Sequence, residues 1–148
     1  MEGFKPIENQ PFNLQPTSTP ASFDGNFNKY YKRFLIYSPD KSKYIDIDSY
    51  NWEVAADGNI SFEADQEIVL VDLNSKTKNR IAYFGPSYRI EDGYWKNNNE
   101  AALLGNSDVN SPFYIELDFT KNKSQYFQYQ DTLKSKSKFR EFRLENLV

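Results

Sequence analysis

The chain contains no cysteine and no histidine in its 148 residues. Without cysteine there is no disulfide framework, no thiolate nucleophile and no cysteine-ligated structural zinc. Without histidine there is no imidazole base working near neutral pH and no Ser-His-Asp triad. Methionine occurs once, at Met1, and no apolar run approaches the roughly twenty residues a membrane-spanning helix requires. Charge of either sign is scarce in excess: 18 Lys and Arg against 21 Asp and Glu leave a net charge of -3 and a pI near 5.1. No global field therefore draws the chain to nucleic acid or to an anionic membrane. Gly-rich phosphate loops, dinucleotide fingerprints and paired-metal spacings are missing as well. No cofactor, no metal set and no catalytic residues are expected. Met1 leads straight into Glu2-Gly3-Phe4-Lys5-Pro6 with no signal core.

What is present is aromatic. Eleven Tyr, 12 Phe and 2 Trp make up 17% of the chain, against a mean hydropathy of -0.79. Aromatic rings bury about 150–250 Å² each, so few of them build a core. Tyr, Phe, Val and Ile favour strands, while the abundant Asn and Asp favour turns. Two stretches forty-six positions apart have the same form: Ile68 to Leu73, and Tyr114 to Phe119. Each is a strand-like run ending in Asp plus an apolar residue, followed by a Lys/Asn/Ser turn and a second apolar run. These features predict an all-β single domain of two hairpin-based repeat units, sandwich-like or truncated-propeller-like. Val69, Val71 and Leu73 in one copy, and Ile115, Leu117 and Phe119 in the other, are the expected core.

Along the chain, residues 1–28 hold Pro6, Pro11, Pro16 and Pro20, which argue against a helix or a central strand. They are expected to form an extended tether, with Phe4, Phe12, Phe23 and Phe27 docking on a β domain at 29–148. Tyr30 to Tyr37 reads as a strand, stopped by Ser38-Pro39-Asp40-Lys41-Ser42. Tyr44 to Asp48 alternates, with Ile45 and Ile47 on one face and Tyr44, Asp46 and Asp48 on a solvated one. Asp57-Gly58-Asn59 signals a hairpin. Tyr88 to Ile90 reads as a short edge strand, Tyr94 to Glu100 as a turn, and Gly105 to Asp108 as a breaker. Five Lys and Arg between Lys134 and Arg143 mark a basic final segment, expected to be an edge strand with a frayed end.

Phe34-Leu35-Ile36-Tyr37-Ser38-Pro39-Asp40-Lys41, the Ile68–Leu73 run and Tyr94 to Asn99 together resemble blades of a β-propeller of the TolB-like or WD-repeat-like kind. In those families a Ser-Pro-Asp-Gly turn joins two strands, and here Lys41 stands in the glycine's place. The resemblance spans about 34–129 and implies at most two blades, too few to close a ring. It leaves open face-to-face packing, assembly from several chains, or shared hairpin chemistry alone.

Trp52, Tyr88, Tyr94 and Trp95 are the expected binding residues, because aromatic rings beside an Asn-rich loop suit a glycan or protein partner. Asp40, Asp46 and Asp48 are the candidates for a cation or an acid–base pair, and Asp72 and Asp118 for a symmetric ligand pair. The simpler expectation is that each Asp orders its own turn. Taken together, the sequence points to a non-catalytic binding module of a bacterial cell envelope. It would be a lipoprotein lacking its signal segment, lipid-anchored in its natural precursor and placed in the periplasm or outer envelope of a Gram-negative bacterium. The alternatives are a cytoplasmic acidic partner-binding protein of immunity or adaptor type, and a carboxylate-dependent glycan hydrolase.

Overall fold

The computed structural model describes residues 3–130 and 143–145. Its strands are β1 (Phe4–Pro11), β2 (Ile36–Tyr37), β3 (Lys43–Asp46), β4 (Trp52–Val54), β5 (Ile60–Phe62) and β6 (Gln66–Asp72). They continue with β7 (Thr77–Phe84), β8 (Tyr88–Trp95), β9 (Glu100–Ser107), β10 (Pro112–Asp118) and β11 (Lys123–Tyr129), and a 3-10 helix covers Lys29–Phe34. All strand pairing is antiparallel, so the chain is all-β as expected. It divides into two compact units, one from Met1–Asn13 and Pro86–Leu147, the other from Leu14–Gly85. In sequence, the second unit interrupts the first.

The repeat is real at the level of the backbone. β6 and β7 are joined by Leu73-Asn74-Ser75-Lys76, with Asp72 opposite Thr77; β10 and β11 are joined by Phe119-Thr120-Lys121-Asn122, with Asp118 opposite Lys123. The last loop residue is left-handed in both, Lys76 at φ 56° and Asn122 at φ 51°. Asp72 Oδ1 accepts from the amides of Asn74 (3.0 Å) and Ser75 (3.2 Å). Asp118 Oδ1 accepts from those of Thr120 (2.9 Å) and Lys121 (3.1 Å). Each carboxylate thus orders its own turn, as a short acceptor side chain at a turn entry does. The likeness extends to the neighbouring strand: Leu73 N donates to Ser42 O, and Phe119 N to Asn99 O, each at 2.8 Å. β2-β3-β6-β7 and β8-β9-β10-β11 are therefore equivalent four-stranded meanders. The first carries the β4–β5 hairpin as an insertion, and the second is widened by β1, which pairs with β11.

In the second unit, Val69 and Val71 bury against Leu35, Tyr44 and Ala21, flanked by Phe23, Phe27, Tyr37 and Leu73. Each fully buried aliphatic side chain here is worth about 1.5–3 kcal/mol. The segment 14–28 lies over this face, which corrects the expectation of a solvated surface. Tyr44, Asp46 and Asp48 are all buried, and the Tyr44 hydroxyl accepts from Ser22 N at 2.8 Å. The Tyr30–Tyr37 run is not one strand either. Its first part is the 3-10 helix, whose three-residue period puts Tyr31 and Phe34 on one side, both ring-on-ring with Trp52 at 4.7 and 5.8 Å. Asn28 caps that helix through Tyr30 N.

What holds 14–28 down is Glu67, a buried carboxylate on β6. The hydroxyls of Thr17 (2.6 Å) and Thr19 (2.5 Å) both donate to its Oε1, and Arg80 Nε donates to Oε2 at 2.6 Å. Gln15 and Arg80 also exchange two backbone hydrogen bonds, at 3.0 and 2.7 Å.

In the first unit, Leu103, Ile115 and Leu117 are buried on one face of the five-stranded sheet. The other face carries a run of rings: Phe4 on Tyr114 at 5.2 Å, Tyr114 stacked on Phe127 at 4.5 Å, and Phe4 near Tyr129 at 5.3 Å. The span expected as a tether thus supplies strand β1 to one unit and a covering segment to the other. The strand expected after Asp131 lies outside the described residues, apart from Arg143–Glu145, where Leu144 is buried.

Arg80→Ala leaves Glu67 buried without its counter-charge. Loss of a buried partner costs about 3–5 kcal/mol, and because Arg80 is 36% exposed the expected loss lies at or below the lower figure. Urea denaturation measures it, and limited proteolysis is expected to show cleavage within 14–28 rising in parallel.

Candidate functional site

The four expected binding residues are divided between the two units. Trp52 is 2% exposed in the second unit, where its Nε1 donates to Asp48 Oδ1 at 2.8 Å and its ring packs on Tyr31. It is a core residue. Tyr88, Tyr94 and Trp95 all lie on β8, the edge strand of the other unit's sheet. A bulge between Ile90 and Asp92 breaks the two-residue alternation. In register, Tyr88 opposes Ser107 and Trp95 opposes Ala101, on the face that carries Gly105 and Leu103. Tyr94 opposes Ala102, on the other face. Trp95 is half-buried, 5.3 Å from the Phe119 ring. Tyr88 and Tyr94 are 48% and 46% exposed, on opposite sides of the sheet.

Tyr88 borders a cleft of about 230 Å³ between residues 86–89 and 106–110. One wall is the start of β8; the other is the end of β9 with its following loop. The loop is tightly tied. Ser107 N donates to Ser111 O, Asn110 N to Ser107 O, each at 3.1 Å, and Asp108 N to Ser87 O at 2.9 Å across the walls. Asn110 sits at φ 60°, a left-handed position asparagine tolerates, and accepts from Asn106 Nδ2 at 2.7 Å.

Arg89 and Asn106 oppose each other across the β8–β9 ladder. Both line the cleft, and each has a buried polar atom without a hydrogen-bond partner, Arg89 Nε and Asn106 Oδ1. Buried polar atoms are nearly always paired, so an unmet donor and an unmet acceptor side by side are informative. The remaining reach of the guanidinium goes to Glu91, at 3.4 Å. Neither residue was singled out by the sequence. Asn106 lay in a stretch read as a breaker, yet Gly105 is a strand residue whose missing side chain makes room for Phe113. The Phe113 ring in turn meets Tyr88 edge-on at 5.7 Å. A glycine inside a strand marks such close approaches, and that was the available signal.

Two other groups bring polar side chains together. On β8–β11 a shallow shelf of about 280 Å³ carries Lys96, Glu116, Lys121 and Lys123, with Lys96 Nζ bound to Glu116 at 2.9 Å. In the second unit, Tyr83 OH donates to Asp65 at 2.5 Å beside the Tyr50 hydroxyl, under the Arg80 guanidinium 4.6 Å from its ring. The hydrogen bond to Asp65, then that to Tyr50, pushes the Tyr83 hydroxyl pKa up. Lys96, Glu116, Tyr50, Tyr83, Asp65 and Arg80 in these two groups all have protein partners for their polar atoms.

The Asp candidates are spent on the fold. Asp40 accepts from Ser42 N, Ser42 Oγ and Ser38 Oγ, which hold its carboxyl down at about 2. Asp46 accepts from Asp48 N and Ser49 N, each at 2.9 Å, and from the Ser49 hydroxyl. Among the described residues no three His, Cys, Asp or Glu side chains are grouped to hold a metal ion.

Two predictions follow the geometry. Burial, against those three hydrogen bonds, pushes the Asp46 carboxyl up to about 6, whereas in the unfolded chain it sits near the usual value of about 4. The folded state therefore holds the extra proton between these values, and stability from this group falls as pH rises from about 4 to about 6. The expected change is about 2–3 kcal/mol, read from urea midpoints and flattened in Asp46→Asn; Asp40 acts in a separate window below about pH 4. In Gly105→Ala the new Cβ would lie 2.5 Å from Phe113 Cζ and 2.6 Å from the Arg89 carbonyl oxygen. Because the latter is backbone, an overpacking loss of about 1–3 kcal/mol is expected in the denaturation midpoint.

Compared with known proteins, the chain matches no family model, no curated protein and no solved structure.

Proposed function

We propose that the chain is a non-catalytic binding module and that the cleft between residues 86–89 and 106–110 is where it binds. The observation that carries this is the preformed cleft itself, about 230 Å³, its loop wall tied by hydrogen bonds and the exposed Tyr88 ring at its border. Preorganised walls lower the ordering cost of binding. Asp108 is the one carboxylate among the described lining residues, so the two-carboxylate arrangement of glycoside hydrolysis has no second member there. Of the expected binding residues, Tyr88 borders this cleft; Tyr94 lies on the other face of the sheet, the face that also carries Arg89 and Asn106.

We place the module in a bacterial cell envelope, held there by a lipid anchor. The Tyr-, Asn- and Lys-rich composition supports this reading. Phe4–Pro11 is a strand of the first unit, so a tether would lie before it. Protein purified from the native host, from membrane and soluble fractions separately, is expected to show an acylated or signal-cleaved species in the membrane fraction by intact mass. An unmodified soluble chain starting at Met1 overturns the envelope placement and leaves the binding site standing.

A further inference from the structure

We propose that Tyr50 and Tyr83 form an oxidative cross-linking site, joined ring to ring as dityrosine by hydrogen peroxide acting through a peroxidase-type one-electron oxidant. The pair lies in the unit 14–85 and is independent of the cleft described above. Tyr83, on β7, is 44% exposed, so an oxidant in solvent reaches it. The Tyr50 ring stands against it at 5.9 Å and 74°, with the two hydroxyl oxygens 3.3 Å apart. In a tyrosyl radical the unpaired electron is shared between the oxygen and the ring carbons ortho to it. Contact through the hydroxyls therefore brings together the edges of both rings that couple.

A phenol gives up an electron readily only when its proton has somewhere to go. Asp65 supplies that place, its carboxylate accepting from Tyr83 OH at 2.5 Å. The Arg80 guanidinium, 4.6 Å from the Tyr83 ring, opposes positive charge on it, so electron loss is tied to proton transfer towards Asp65. Each ring loses one electron and one proton. The two radicals join ortho carbon to ortho carbon, and the two ortho hydrogens move to the oxygens and restore both phenols. Hydrogen peroxide takes up the two electrons and two protons and leaves as two waters. Tyr37 and Tyr44 also meet ring to ring, at 5.4 Å, but Tyr44 is fully buried and its hydroxyl accepts from Ser22 N. Among the described residues no carboxylate accepts from either of those hydroxyls. The Tyr50–Tyr83 bond would close a loop holding the β4–β5 insertion and β6, and tie the root of that hairpin to β7. A covalent closure of this kind narrows the unfolded ensemble.

The test treats the full chain with hydrogen peroxide and a haem peroxidase, at a dilution that keeps encounters between chains rare. Expected are dityrosine fluorescence, an intact monomer mass lower by two hydrogens, and a linked peptide pair carrying Tyr50 and Tyr83 after proteolysis. Tyr50→Phe and Tyr83→Phe are each expected to remove that product and leave the circular dichroism unchanged. Asp65→Asn keeps an acceptor but loses the base, and is expected to slow the initial rate about a hundredfold, the lower end for a placed base. Dimers between chains alone, links confined to other tyrosines, or no link at all overturn the site. An unchanged rate in Asp65→Asn overturns the part given to Asp65.

Discussion

Both halves of the chain depend on how a strand ending in Asp is turned back on itself. In an antiparallel hairpin a slip of one residue moves every side chain to the opposite face. Asp72 and Asp118 prevent that slip by gathering the amides two and three residues on, while Lys76 and Asn122 take the left-handed conformation that ends a four-residue loop. With the loop length fixed, Asp72 meets Thr77 and Asp118 meets Lys123. From that pairing Val69 and Val71, and Ile115 and Leu117, are committed to buried faces. Neither left-handed residue is glycine, so each loop carries some backbone strain; the two amide hydrogen bonds that the Asp carboxylate accepts oppose it. Lys41, at φ 63° after Asp40, repeats the pattern at a third turn.

Local chemistry of this kind is legible in a sequence because cause and effect lie within five residues. The two equivalent hairpins and the Asp57-Gly58-Asn59 turn were visible in the sequence and are found in place; of the core triplets, Val69, Val71, Ile115 and Leu117 are buried, while Leu73 and Phe119 are half-buried loop residues. What was not legible depends on contacts distant in the chain. Asp46 and Asp48 alternate with Ile45 and Ile47 as on a half-solvated strand. Asp48 is bonded to the buried Trp52 indole, and both carboxylates lie near Tyr31 of the 3-10 helix; the covering segment 14–28, attached through Thr17 and Thr19 to Glu67, 50 and 48 residues away, adds a second contact the sequence hid. The 3-10 helix was hidden because an aromatic run at three-residue spacing and one at two-residue spacing share the same composition. The bulge after Ile90 left no mark at all, and it alone separates Tyr88 from Tyr94.

The candidate site illustrates the same division. Aromatic content drew attention to Trp52, the most buried of the four, whose indole N–H is spent on Asp48. The informative residues are instead an arginine and an asparagine that meet only across a strand pair. On the opposite face of the same strands, Phe113 leans over Gly105 to hold Tyr88. A small residue in one strand thereby decides where an exposed ring stands on the next.

The pairing of β1 with β11 joins positions 114 residues apart, as between Gln10 and Ser124. During synthesis the first strand leaves the ribosome more than a hundred residues ahead of its partner. At about 5–20 residues per second that interval lasts several seconds. Unit 14–85 is contiguous and closes by local hairpins, which form quickly because little loop entropy is lost. The first unit instead waits with an unpaired Phe4–Pro11 strand, and Pro6 and Pro11 within it lack the amide hydrogens that a foreign strand edge would use. Prolines placed in the one strand that must wait longest guard the nascent chain against premature association.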